Sequence, residues 1–376
     1  MMVPHLGGGG AERVMARVAA GLRRDEFDVH FAVIAADEPG AESLPEWVTL
    51  HRLECGRARW AAWKTLRLIW HIQPDLIVTG MMHLSAVVLT LRLMLRPLMP
   101  RGTRIAVRVN TTVSQSIPGG LWRGIYALLM RRADRVISQT VAMAEDVSVY
   151  LGVSQDRIEV AANPVDIARI RAEADRARRE RTRLRDGIHV MCTGRLSAEK
   201  GADLLLEAWK MLRERGDLTR MECRLVILGE GAERERLEAM AARLEIAASV
   251  SFGGFAQDVN RWLGWADVYA QPSRCEGMPN ALLEAAAAGV ALVATPSSAG
   301  VARLLRGDEG AWVAREIEAG ALAEALLAAI DEVSKRRAEN SEGGLFAHEW
   351  MAEFAQEAAL RRWEQCLREI CAERER

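Results

Sequence analysis

The feature that most constrains the fold of this chain is a regular alternation of short apolar runs with longer helical patterns. The runs are dense in Val, Ile and Leu, as is required of strands buried on both faces of a sheet. Such alternation is typical of parallel sheets covered by helices. The predicted strands are residues 28–35, 75–79, 104–109, 135–138, 157–161, 188–193, 223–228, 249–252, 267–271 and 290–294. We therefore predict an α/β fold with two Rossmann-like βαβ domains that face each other across a cleft.

The alternation is interrupted once, by residues 168–186, which are rich in Arg and Glu and lack an apolar stripe wide enough for a core helix. These residues follow the turn signal Asn163-Pro164-Val165-Asp166. Only Met1–Leu6 is available for a strand before the first glycine-rich loop, so the first strand is either very short or preceded by further chain. The predicted divisions are a first domain at 1–165, a linker at 166–186, a second domain at 187–344, and a C-terminal helix at 345–376 that crosses back to the first domain.

Composition and charge argue against several classes of protein. The formal net charge is −1, so general nucleic-acid binding is not expected. The six Cys residues show no C-x-x-C pair and no His at metal-ligand spacing, which indicates reduced thiols. We expect no secretory leader, because the start Met-Met-Val-Pro-His-Leu lacks a charged segment and a long apolar run. The most apolar stretch, 84–100, is interrupted by Arg92 and Arg96. We expect a cytoplasmic protein that is at most peripheral to the inner face of the cell membrane.

Arginine is concentrated in one region of the predicted first domain. Between Leu91 and Arg135 there are nine Arg residues and one acid, Asp134, with Trp122 and Tyr126 among them. Two interpretations are open: a solvated basic face, or a patch that binds an anionic acceptor or an acidic membrane surface.

Ligands of open α/β sheets bind beyond the carboxyl ends of the strands, so the loops after the predicted strands are the candidate sites. Glycines 7–10 precede a helix and allow the backbone to approach a phosphate or a sugar. After strand 188–193, Gly194 is followed by Arg195 and Lys200, two cations near a helix start that would neutralise a diphosphate. The alternative is a surface ion pair with Glu199.

Two further loops carry weaker signals. Gly229 lies in a tight turn after strand 223–228 and is predicted to lie under a nucleotide, although a plain turn explains it equally well. Phe255 ends the sequence Phe-Gly-Gly-Phe after strand 249–252, which would form a shelf for a base edge or pack in the core.

The most informative stretch is 273–284, in which Glu276 and Glu284 bracket a Gly-x-Pro-Asn turn. Glu276 precedes a helix and Glu284 lies about a turn and a half inside it. Carboxylates offer only acceptors and suit hydroxyl groups, whereas the backbone N–H groups of a helix start suit anions. A sugar nucleotide carries both kinds of group. The alternative is a helix with an acidic start and one surface Glu.

Four motifs in fixed order resemble glycosyltransferase family 4, the retaining enzymes of GT-B fold. They are GRLSAEKG at 194–201, LVILGEGAERERLE at 225–238, SFGGF at 251–255, and ADVYAQPSRCEGMPNALLEAAAAGVALVAT at 266–295. The glycine-rich segment 7–22 is similar to the acceptor-side loop of the same family. The resemblance covers nearly the whole chain and implies a GT-B fold.

The resemblance also implies roles for individual residues. Arg195 and Lys200 match the basic pair that holds the donor diphosphate. Glu276 matches the Glu that contacts the transferred sugar, and Glu284 the one that binds the ribose hydroxyls. Backbone contacts to sugar and phosphate are implied for Gly277, Met278 and Pro279, and contacts near the donor phosphate for Gly8, Gly9 and Gly10. The predicted catalytic residues are Glu276, Arg195 and Lys200.

One departure from the family pattern concerns the first domain. Many members carry a His after the strand equivalent to 104–109, near the donor sugar, but this chain has Asn110 there. Asn110 offers hydrogen bonds and no group that titrates near neutral pH. No Asp-x-Asp pair is present, so we expect no metal and no other cofactor, with Arg195 and Lys200 neutralising the diphosphate.

These observations predict a retaining, metal-independent glycosyltransferase. It would move a sugar from a nucleotide-sugar donor, most simply a UDP-sugar, to a glycan or lipid-linked acceptor in the synthesis of polysaccharide, lipopolysaccharide or lipid-linked oligosaccharide. The alternative from another class is a non-catalytic partner that binds nucleotide-sugar or glycan in a biosynthetic complex. A hydrolase with paired carboxylates is disfavoured, because it would not need two cations at a phosphate site.

Overall fold

The computed structural model describes residues 1–6, 9–35, 44–55, 58–95, 100, 102–180, 187–216, 218, 222–339 and 345–372. The chain divides into two compact units. The first unit combines Met1–Pro164 with Gln356–Arg376, and the second unit comprises Val165–Ala355.

Each unit contains one sheet in which all strand pairs are parallel. The strands of the first unit are β1 (Met2–Val3), β2 (His30–Val33), β3 (Thr49–Arg52), β4 (Leu76–Thr79), β5 (Arg104–Arg108), β6 (Arg135–Ser138) and β7 (Ile158–Val160), in the order β3-β2-β1-β4-β5-β6-β7. Those of the second unit are β8 (Ile188–Thr193), β9 (Cys223–Leu228), β10 (Val250–Gly254), β11 (Val268–Gln271), β12 (Ala291–Ala294) and β13 (Ala311–Val313), in the order β10-β9-β8-β11-β12-β13.

All ten predicted strands are present, and the two-domain α/β class of the GT-B fold is confirmed. The first strand, β1, has only two residues, which agrees with the short first strand considered from the sequence. β3 and β13 were not predicted. Both are edge strands whose residues are partly exposed, so neither carries the continuous apolar run of a central strand.

Helices lie between most of the strands. They are α1 (Gly10–Gly21), α2 (Ala58–Ile72), α3 (Met82–Met94), α4 (Val113–Ser116), α5 (Leu121–Met130), α6 (Val141–Leu151), α7 (Ile167–Glu180), α8 (Ala202–Glu214), α9 (Arg234–Arg243), α10 (Val259–Trp265), α11 (Asn280–Ala287), α12 (Ala299–Leu305), α13 (Ala319–Ala338) and α14 (Gln356–Ala372). Short 3₁₀ turns occupy Gln155–Arg157, Ala198–Lys200, Ala247–Ser249 and Glu349–Phe354.

Helix α6 shows how local sequence sets the helix ends. The Thr140 hydroxyl accepts a hydrogen bond from the Met143 amide at 3.2 Å, which satisfies one unpaired donor of the first turn. The helix ends at Gly152, whose φ of 63° is left-handed and therefore suits glycine.

The structure corrects the prediction of a linker at 166–186. Ile167–Glu180 forms helix α7, which belongs to the second unit and packs against α10. Its buried side chains are Ile170, Ala174 and Ala177. A β-carbon added at Gly264 of α10 would lie 2.3 Å from the Ala174 carbonyl oxygen, so small residues let the two helices approach closely. The sequence does not predict this helix because two of its three buried side chains are Ala, which makes the apolar stripe narrow. Residues 181–186 lie outside the described part of the chain.

The C-terminal segment also differs from the predicted boundaries. Residues up to Ala355, including the turn at Glu349–Phe354, belong to the second unit, and α14 alone belongs to the first. Trp363 of α14 is completely buried, and its Nε1 donates to the Ala162 carbonyl at 3.0 Å. The last helix is therefore part of the core of the first unit.

No helix within the described ranges is long and apolar enough to cross a membrane. The apolar stretch 84–100 forms most of α3, with Leu84, Val88 and Leu89 buried. Residues 96–99 lie outside the described part.

Candidate active site

The carboxyl ends of four neighbouring strands gather the predicted donor-site residues of the second unit at one edge of its sheet. The strand order β10-β9-β8-β11 brings the loops after β8, β9, β10 and β11 next to one another. These loops carry Gly194, Arg195, Lys200, Gly229, Phe255 and Glu276, and helix α11, which follows, carries Glu284. This edge is where ligands bind in open parallel sheets.

Two glycines allow these loops to approach each other. A β-carbon on Gly201 would lie 2.0 Å from the Pro272 carbonyl oxygen, and one on Gly229 would lie 1.8 Å from the Gly194 carbonyl oxygen. Both residues also have positive φ, 67° and 137°. Only glycine fits these two positions, so Gly201 brings the β8 loop against the β11 loop and Gly229 brings the β9 loop against the β8 loop.

Lys200 and Glu276 form the charged centre of this edge. Lys200 Nζ donates to Glu276 Oε1 at 2.6 Å, and the side chains are 30% and 9% exposed. The alternative ion pair of Lys200 with Glu199 is not formed. An ammonium group has three donors, so Lys200 retains capacity for further acceptors while it orients the Glu276 carboxylate.

Three side chains that the sequence analysis did not single out hold the Glu276 carboxylate in place, directly or through one another. They are Tyr269, Gln271 and Ser273. Ser273 Oγ and Gln271 Nε2 donate to Glu276 Oε1 at 2.8 and 3.2 Å, and Tyr269 OH donates to Gln271 Oε1 at 2.9 Å. Burial raises the pKa of Tyr269 well above its usual value, and nearby Cys192, Glu284 and Glu276 raise it further. Tyr269 therefore stays a neutral donor. The sequence signal was a polar Gln that ends an otherwise apolar strand.

Arg274 clamps the β11 loop to the β8 loop and was also missed. Its guanidinium donates to both carboxylate oxygens of Asp203 at 2.8 and 2.9 Å and to the Ala198 carbonyl at 2.8 Å. Its backbone amide donates to the Glu199 carbonyl at 2.8 Å. A bidentate Arg–carboxylate pair fixes orientation as well as distance. The clamp holds Lys200 and Glu276 on facing loops.

The turn before helix α11 is buried. Gly277, Met278 and Pro279 lie between Glu276 and the first residue of the helix, and Pro279 is its N-cap. Ser298 Oγ donates to the Gly277 carbonyl at 3.1 Å. Glu284 is half-buried on the helix and close enough to Tyr269 to affect the pKa of that phenol. The two carboxylates of the motif thus lie on the same side of the second unit.

Arg195 and Phe255 also lie at this edge, but their side chains take no part in the hydrogen bonds around Glu276. Arg195 is exposed, and within the described ranges its side chain has no hydrogen-bond or ion-pair partner. Phe255 is 68% exposed, so it does not pack in the core, and a shelf for a base remains a prediction.

In the first unit the predicted glycine loop is only partly described, because Gly8 lies outside the described residues. Gly9 is the N-cap of α1 and Gly10 its first residue. Glu12, only 3% exposed, folds back beneath this turn, since a β-carbon on Gly9 would lie 2.0 Å from Glu12 Oε2. His5 Nε2 lies 3.3 Å from Glu12 Oε1.

A buried arginine ends strand β5 and was not singled out from the sequence. Arg108 is completely buried; its Nη2 donates to Asn163 Oδ1 at 2.8 Å, while Nε and Nη1 have no partner in the described part of the chain. Burial lowers the pKa of Arg108 to about 10, and the charge of Glu12 opposes that change. Arg108 and Glu12 thus place opposite charges inside the first unit, below its glycine loop.

Asn110 follows β5 and lines a separate cavity of about 340 Å³ in the first unit. Its Nδ2 lies 3.1 Å from the sulfur of Met81, a weak acceptor. The remaining walls are mainly apolar and include Met82, Trp122 and Tyr126.

Comparison with known proteins agrees with this architecture. A family model described as Glycosyltransferase Family 4 matches residues 8–169, and one described as Glycosyl transferases group 1 matches residues 187–332. The crystal structure of Anabaena Alr3699/HepE in complex with UDP and glucose superposes with a TM-score of 0.78 at 17% identity, covering 97% of this chain and 98% of that one.

Two relatives have names that state a specific transferase activity. The N-acetylgalactosamine-N,N'-diacetylbacillosaminyl-diphospho-undecaprenol 4-alpha-N-acetylgalactosaminyltransferase of Campylobacter jejuni is 25% identical over 325 residues, which is 82% of this chain and 83% of that protein. The GDP-mannose-dependent alpha-(1-6)-phosphatidylinositol monomannoside mannosyltransferase of Mycolicibacterium smegmatis is 38% identical over 160 residues, which is 40% of this chain and 41% of that protein.

The two family models together span both units, and the motif residues of the second unit meet at one sheet edge as that family's pattern requires. The chain belongs to glycosyltransferase family 4, group 1 type, and is a glycosyltransferase of GT-B fold.

Proposed function

We propose that this glycosyltransferase transfers a sugar from a UDP-sugar, with retention of the anomeric configuration and without a metal ion, to a lipid-linked glycan. The observation that carries the proposal is the Lys200–Glu276 pair at 2.6 Å beside the start of helix α11. It places a cation, a carboxylate and a helix N-terminus together, which matches the phosphates and hydroxyls of a sugar nucleotide. The UDP and glucose in the related HepE structure favour UDP as the nucleotide.

In this proposal the protein acts by orientation and electrostatics. Glu276 holds the hydroxyls of the transferred sugar, and Lys200 and Arg195 stabilise the charge that grows on the departing diphosphate. Glu284 holds the ribose. Interactions that strengthen as the bond to phosphate breaks raise the rate of transfer, whereas equal binding of substrate and transition state would not.

The test is nucleotide release from a panel of UDP- and GDP-sugars by wild type, Lys200→Ala and Glu276→Ala. We expect wild type to release UDP and each variant to be slower by about a hundredfold. Lys210→Ala is the matched control, because Lys210 pairs with Glu214 on α8, away from the site loops. Equal release by wild type and both site variants would refute the assignment, and donor binding without any turnover would support the non-catalytic alternative.

Stereochemistry and metal dependence are tested separately. NMR of the glycosidic product reports whether the anomeric configuration is retained. Within the described ranges no three His, Cys, Asp or Glu side chains are grouped so that they would hold a metal ion. We expect EDTA to leave the rate unchanged; recovery of activity only after Mg²⁺ or Mn²⁺ is added would contradict the metal-independent mechanism.

The acceptor is proposed to be lipid-linked because α5 exposes apolar side chains to solvent. Leu121, Trp122 and Leu128 are 78%, 56% and 52% exposed, and together with Ile125, which is 37% exposed, they form what we call the α5 face. A contiguous exposed apolar surface marks a binding site for a partner or a membrane. The diphospho-undecaprenol and phosphatidylinositol in the names of the two relatives favour a membrane-bound acceptor.

The basic patch predicted from nine Arg residues is smaller in the structure. Arg92 and Arg104 face Asp134, and Arg135 faces Glu159. Arg108 is buried, and Arg96 and Arg101 lie outside the described part. The remaining three, Arg123, Arg131 and Arg132, are exposed on α5 or directly after it. Each Arg near an anionic bilayer contributes about 1 kcal/mol, so these three would assist the α5 face.

Liposome flotation tests this peripheral contact. We expect wild type to float with vesicles that contain anionic lipid at low salt, and Leu128→Asp to remain in the soluble fraction. Val149→Asp is the control, because Val149 is 81% exposed on neighbouring α6 but does not belong to the α5 face. Failure of the wild-type protein to float would exclude this contact.

A further inference from the structure

Strand β11 has one apolar face and one polar face, and both are buried. Val268 and Ala270 belong to the hydrophobic core of the second unit. Tyr269 and Gln271 alternate with them and therefore lie on the opposite face, and Ser273 continues the same spacing beyond the strand. Tyr269 and Ser273 are completely buried, and Gln271 is 3% exposed. Buried polar groups are costly unless they are hydrogen-bonded, so this face depends on a specific arrangement of donors and acceptors.

The Glu276 carboxylate fixes the direction of the hydrogen bonds along the polar face. A carboxylate only accepts, so the Gln271 amide must turn its Nε2 toward Glu276 Oε1, at 3.2 Å, and Ser273 Oγ, at 2.7 Å. The amide oxygen of Gln271 then faces Tyr269, whose hydroxyl donates to it at 2.9 Å. We call Tyr269, Gln271 and Ser273, in this order of donation, the Tyr269 relay.

The Tyr269 relay also reaches strand β8. The Tyr269 hydroxyl oxygen lies 3.3 Å from both the backbone oxygen and Oγ1 of Thr193, the last residue of that strand. Because the phenol has one proton and its shortest contact is with Gln271, the Thr193 hydroxyl is the donor in the contact between the two hydroxyl groups. Thr193 directly precedes the loop that carries Lys200. One phenol thus contacts the ends of the two strands whose loops carry Lys200 and Glu276.

Glu276 therefore has two supports of different kinds. Lys200 is 30% exposed, and in the proposed function its remaining donors bind the departing diphosphate. The Tyr269 relay is buried, where water does not weaken a hydrogen bond. Without the Tyr269 hydroxyl, the Gln271 amide would lose the partner that distinguishes its two ends. A rotated amide would face the carboxylate with its carbonyl oxygen, and two acceptors repel.

Tyr269 is completely buried, so it acts through its neighbours. We propose that Tyr269 is a positioning residue for sugar transfer, whose hydroxyl sets the orientation of the Gln271 amide and thereby holds the Glu276 carboxylate in place while Lys200 binds the donor diphosphate. This inference rests on the proposed transfer from a UDP-sugar. It adds to the charged groups of the donor site a neutral residue beneath them, on which their geometry depends.

Steady-state kinetics of Tyr269→Phe test this role, because the substitution removes the hydroxyl and keeps the ring. We expect kcat to fall about tenfold, as for the loss of one neutral hydrogen bond, and the KM for the UDP-sugar to change less than about twofold. The Kd of UDP, measured by calorimetry, should be unchanged. Tyr150→Phe is the matched control, since its half-buried hydroxyl donates to the Ile117 carbonyl at 2.9 Å in the first unit. Its kcat should equal that of wild type.

Gln271→Glu gives a second readout that a loss of packing would not change. The new carboxyl group would lie beside Glu276, and two close carboxylates share one proton. Lys200 stabilises the charge of Glu276, so the proton stays on the substituted side chain, which then donates as the amide does. This proton is lost as the pH rises. We therefore expect kcat/KM, relative to wild type, to rise about threefold or more as the pH falls from about 8 to about 6. The nearby Cys192 and Glu284 are common to both proteins, so their titration cancels in the ratio.

NMR of protein labelled with ¹⁵N-glutamine tests the relay without any substrate. The side-chain amide signal of Gln271 is assigned by its absence from Gln271→Glu. We expect its protons to be protected from exchange with water in wild type, because the group is buried and hydrogen-bonded, and to exchange about tenfold faster in Tyr269→Phe. Tyr150→Phe should leave this exchange unchanged.

Four results would overturn the inference. They are a wild-type kcat in Tyr269→Phe, an equal loss of kcat in Tyr150→Phe, an effect confined to the KM of the donor, and a Gln271→Glu ratio that does not depend on pH. Thermal unfolding reports whether each variant folds, and if Tyr269→Phe does not, the pH dependence of Gln271→Glu decides. Failure of wild type to release nucleotide from any donor would refute the proposed function instead. Unchanged exchange of the Gln271 amide in Tyr269→Phe would refute the relay in either case.

Discussion

The carboxyl edges of the two sheets are built in different ways. In the second unit the edge carries paired, hydrogen-bonded groups, with Glu276 receiving donors from Lys200, Ser273 and Gln271. In the first unit Arg108 is buried, and two of its nitrogens have no partner among the described residues, while the nearby cavity is mainly apolar. The difference shows that the carboxyl edge of the second sheet concentrates paired charges, whereas the cavity at the carboxyl edge of the first sheet is lined mainly by uncharged side chains.

The comparison also explains why one edge is so much easier to recognise in sequence. Groups that hold a diphosphate and a sugar must be cations, carboxylates and close backbone, and they occur in short motifs directly after strands. An apolar cavity has no such requirement, because many combinations of Met, Ile and Trp produce similar surfaces. The predictions below test this contrast, from the largest expected effect to the smallest.

Of the substitutions considered, conservative removal of a charge at the carboxyl edge of the second sheet should lower the rate of catalysis most. Glu276→Gln keeps the shape of the side chain but removes the counterion of Lys200 and weakens every hydrogen bond to the sugar, so we expect kcat/KM for UDP release to fall by about 10²-fold or more. Asn110→Ala at the first edge should cost about tenfold, as the loss of one neutral hydrogen bond. The control is Glu199→Gln, an exposed residue of the same loop. A larger effect of Asn110→Ala than of Glu276→Gln would reverse the comparison.

The buried charges of the first unit should matter for stability rather than for donor chemistry. Arg108→Met removes the hydrogen bond that Nη2 donates to Asn163 and the guanidinium charge that acts on buried Glu12. Because the loss leaves a buried polar group without its partner, we expect a destabilisation of about 1–3 kcal/mol. The double variant Arg108→Met/Glu12→Gln should recover a large part of this loss, because the unpaired charge is also removed. Urea unfolding monitored by fluorescence gives both values; a double variant no more stable than the single one would show that Arg108 and Glu12 are not coupled.

The close approach of the loops in the second unit depends on Gly229. In Gly229→Ala the new methyl group would contact the Gly194 backbone at 1.8 Å and φ is 137°, so we expect a loss of about 2 kcal/mol or more and a displaced β8 loop. Gly124→Ala on α5, where nothing lies within 4 Å of the added β-carbon, should instead stabilise by about 0.5–1 kcal/mol. Thermal unfolding of the two variants measures the difference, and equal shifts would contradict the packing argument.

A pH effect should arise at the opposite edge of the second sheet. Burial alone would raise the pKa of Asp308, but a hydrogen bond and the charge of His348, together with donors from the Gly310 amide and Trp350, lower it overall. A carboxyl group whose folded pKa is lowered stabilises above its unfolded pKa of about 3.9, and this stability is lost as the pH falls through the folded value.

We therefore expect the stability of wild type to fall below about pH 4 by up to about 1.4 kcal/mol per pH unit from this one proton. Asp308→Asn should be less stable at pH 7 and show a shallower fall in acid. Urea titrations from pH 3 to 7 measure both slopes; parallel curves would exclude a contribution from Asp308. Nucleotide release at pH 7 should remain close to wild type, because Asp308 lies before β13 and away from the site loops.

Much of the fold was predictable because parallel strands buried on both faces are apolar runs in any context. Ten strands were identified for this reason, and two of them, β7 and β10, lie at sheet edges. The other two edge strands, β3 and β13, were missed because their residues are partly exposed and form no long apolar run. The sequence of helix α7 predicts a linker, because two of its three buried residues are the small Ala174 and Ala177. Only the close approach of Gly264 on α10 makes such small residues sufficient for packing. Gly8 and residues 181–186 lie outside the described part of the chain.

The candidate site was predictable only in part. The charged residues were identified by their position after strands, and the Lys200–Glu276 pairing joins two loops 76 residues apart. Tyr269, Gln271 and the Arg274–Asp203 clamp were missed, because their role depends on neighbours from other strands. Arg195 and Phe255 were predicted as donor contacts, and their exposed side chains leave that role to be tested.

The amino-acid sequence by itself determined the α/β class, the family and the loops that carry charge, because these follow from local apolar runs and short motifs. Only the tertiary structure decided which partners those charges take, that Arg108 is buried, and that Met81, Asn110 and Trp122 enclose one cavity. The physical reason is that strand order, which is a long-range property, sets which loops are neighbours. Hydrogen bonds and cavities depend on those neighbours rather than on adjacent residues in the chain.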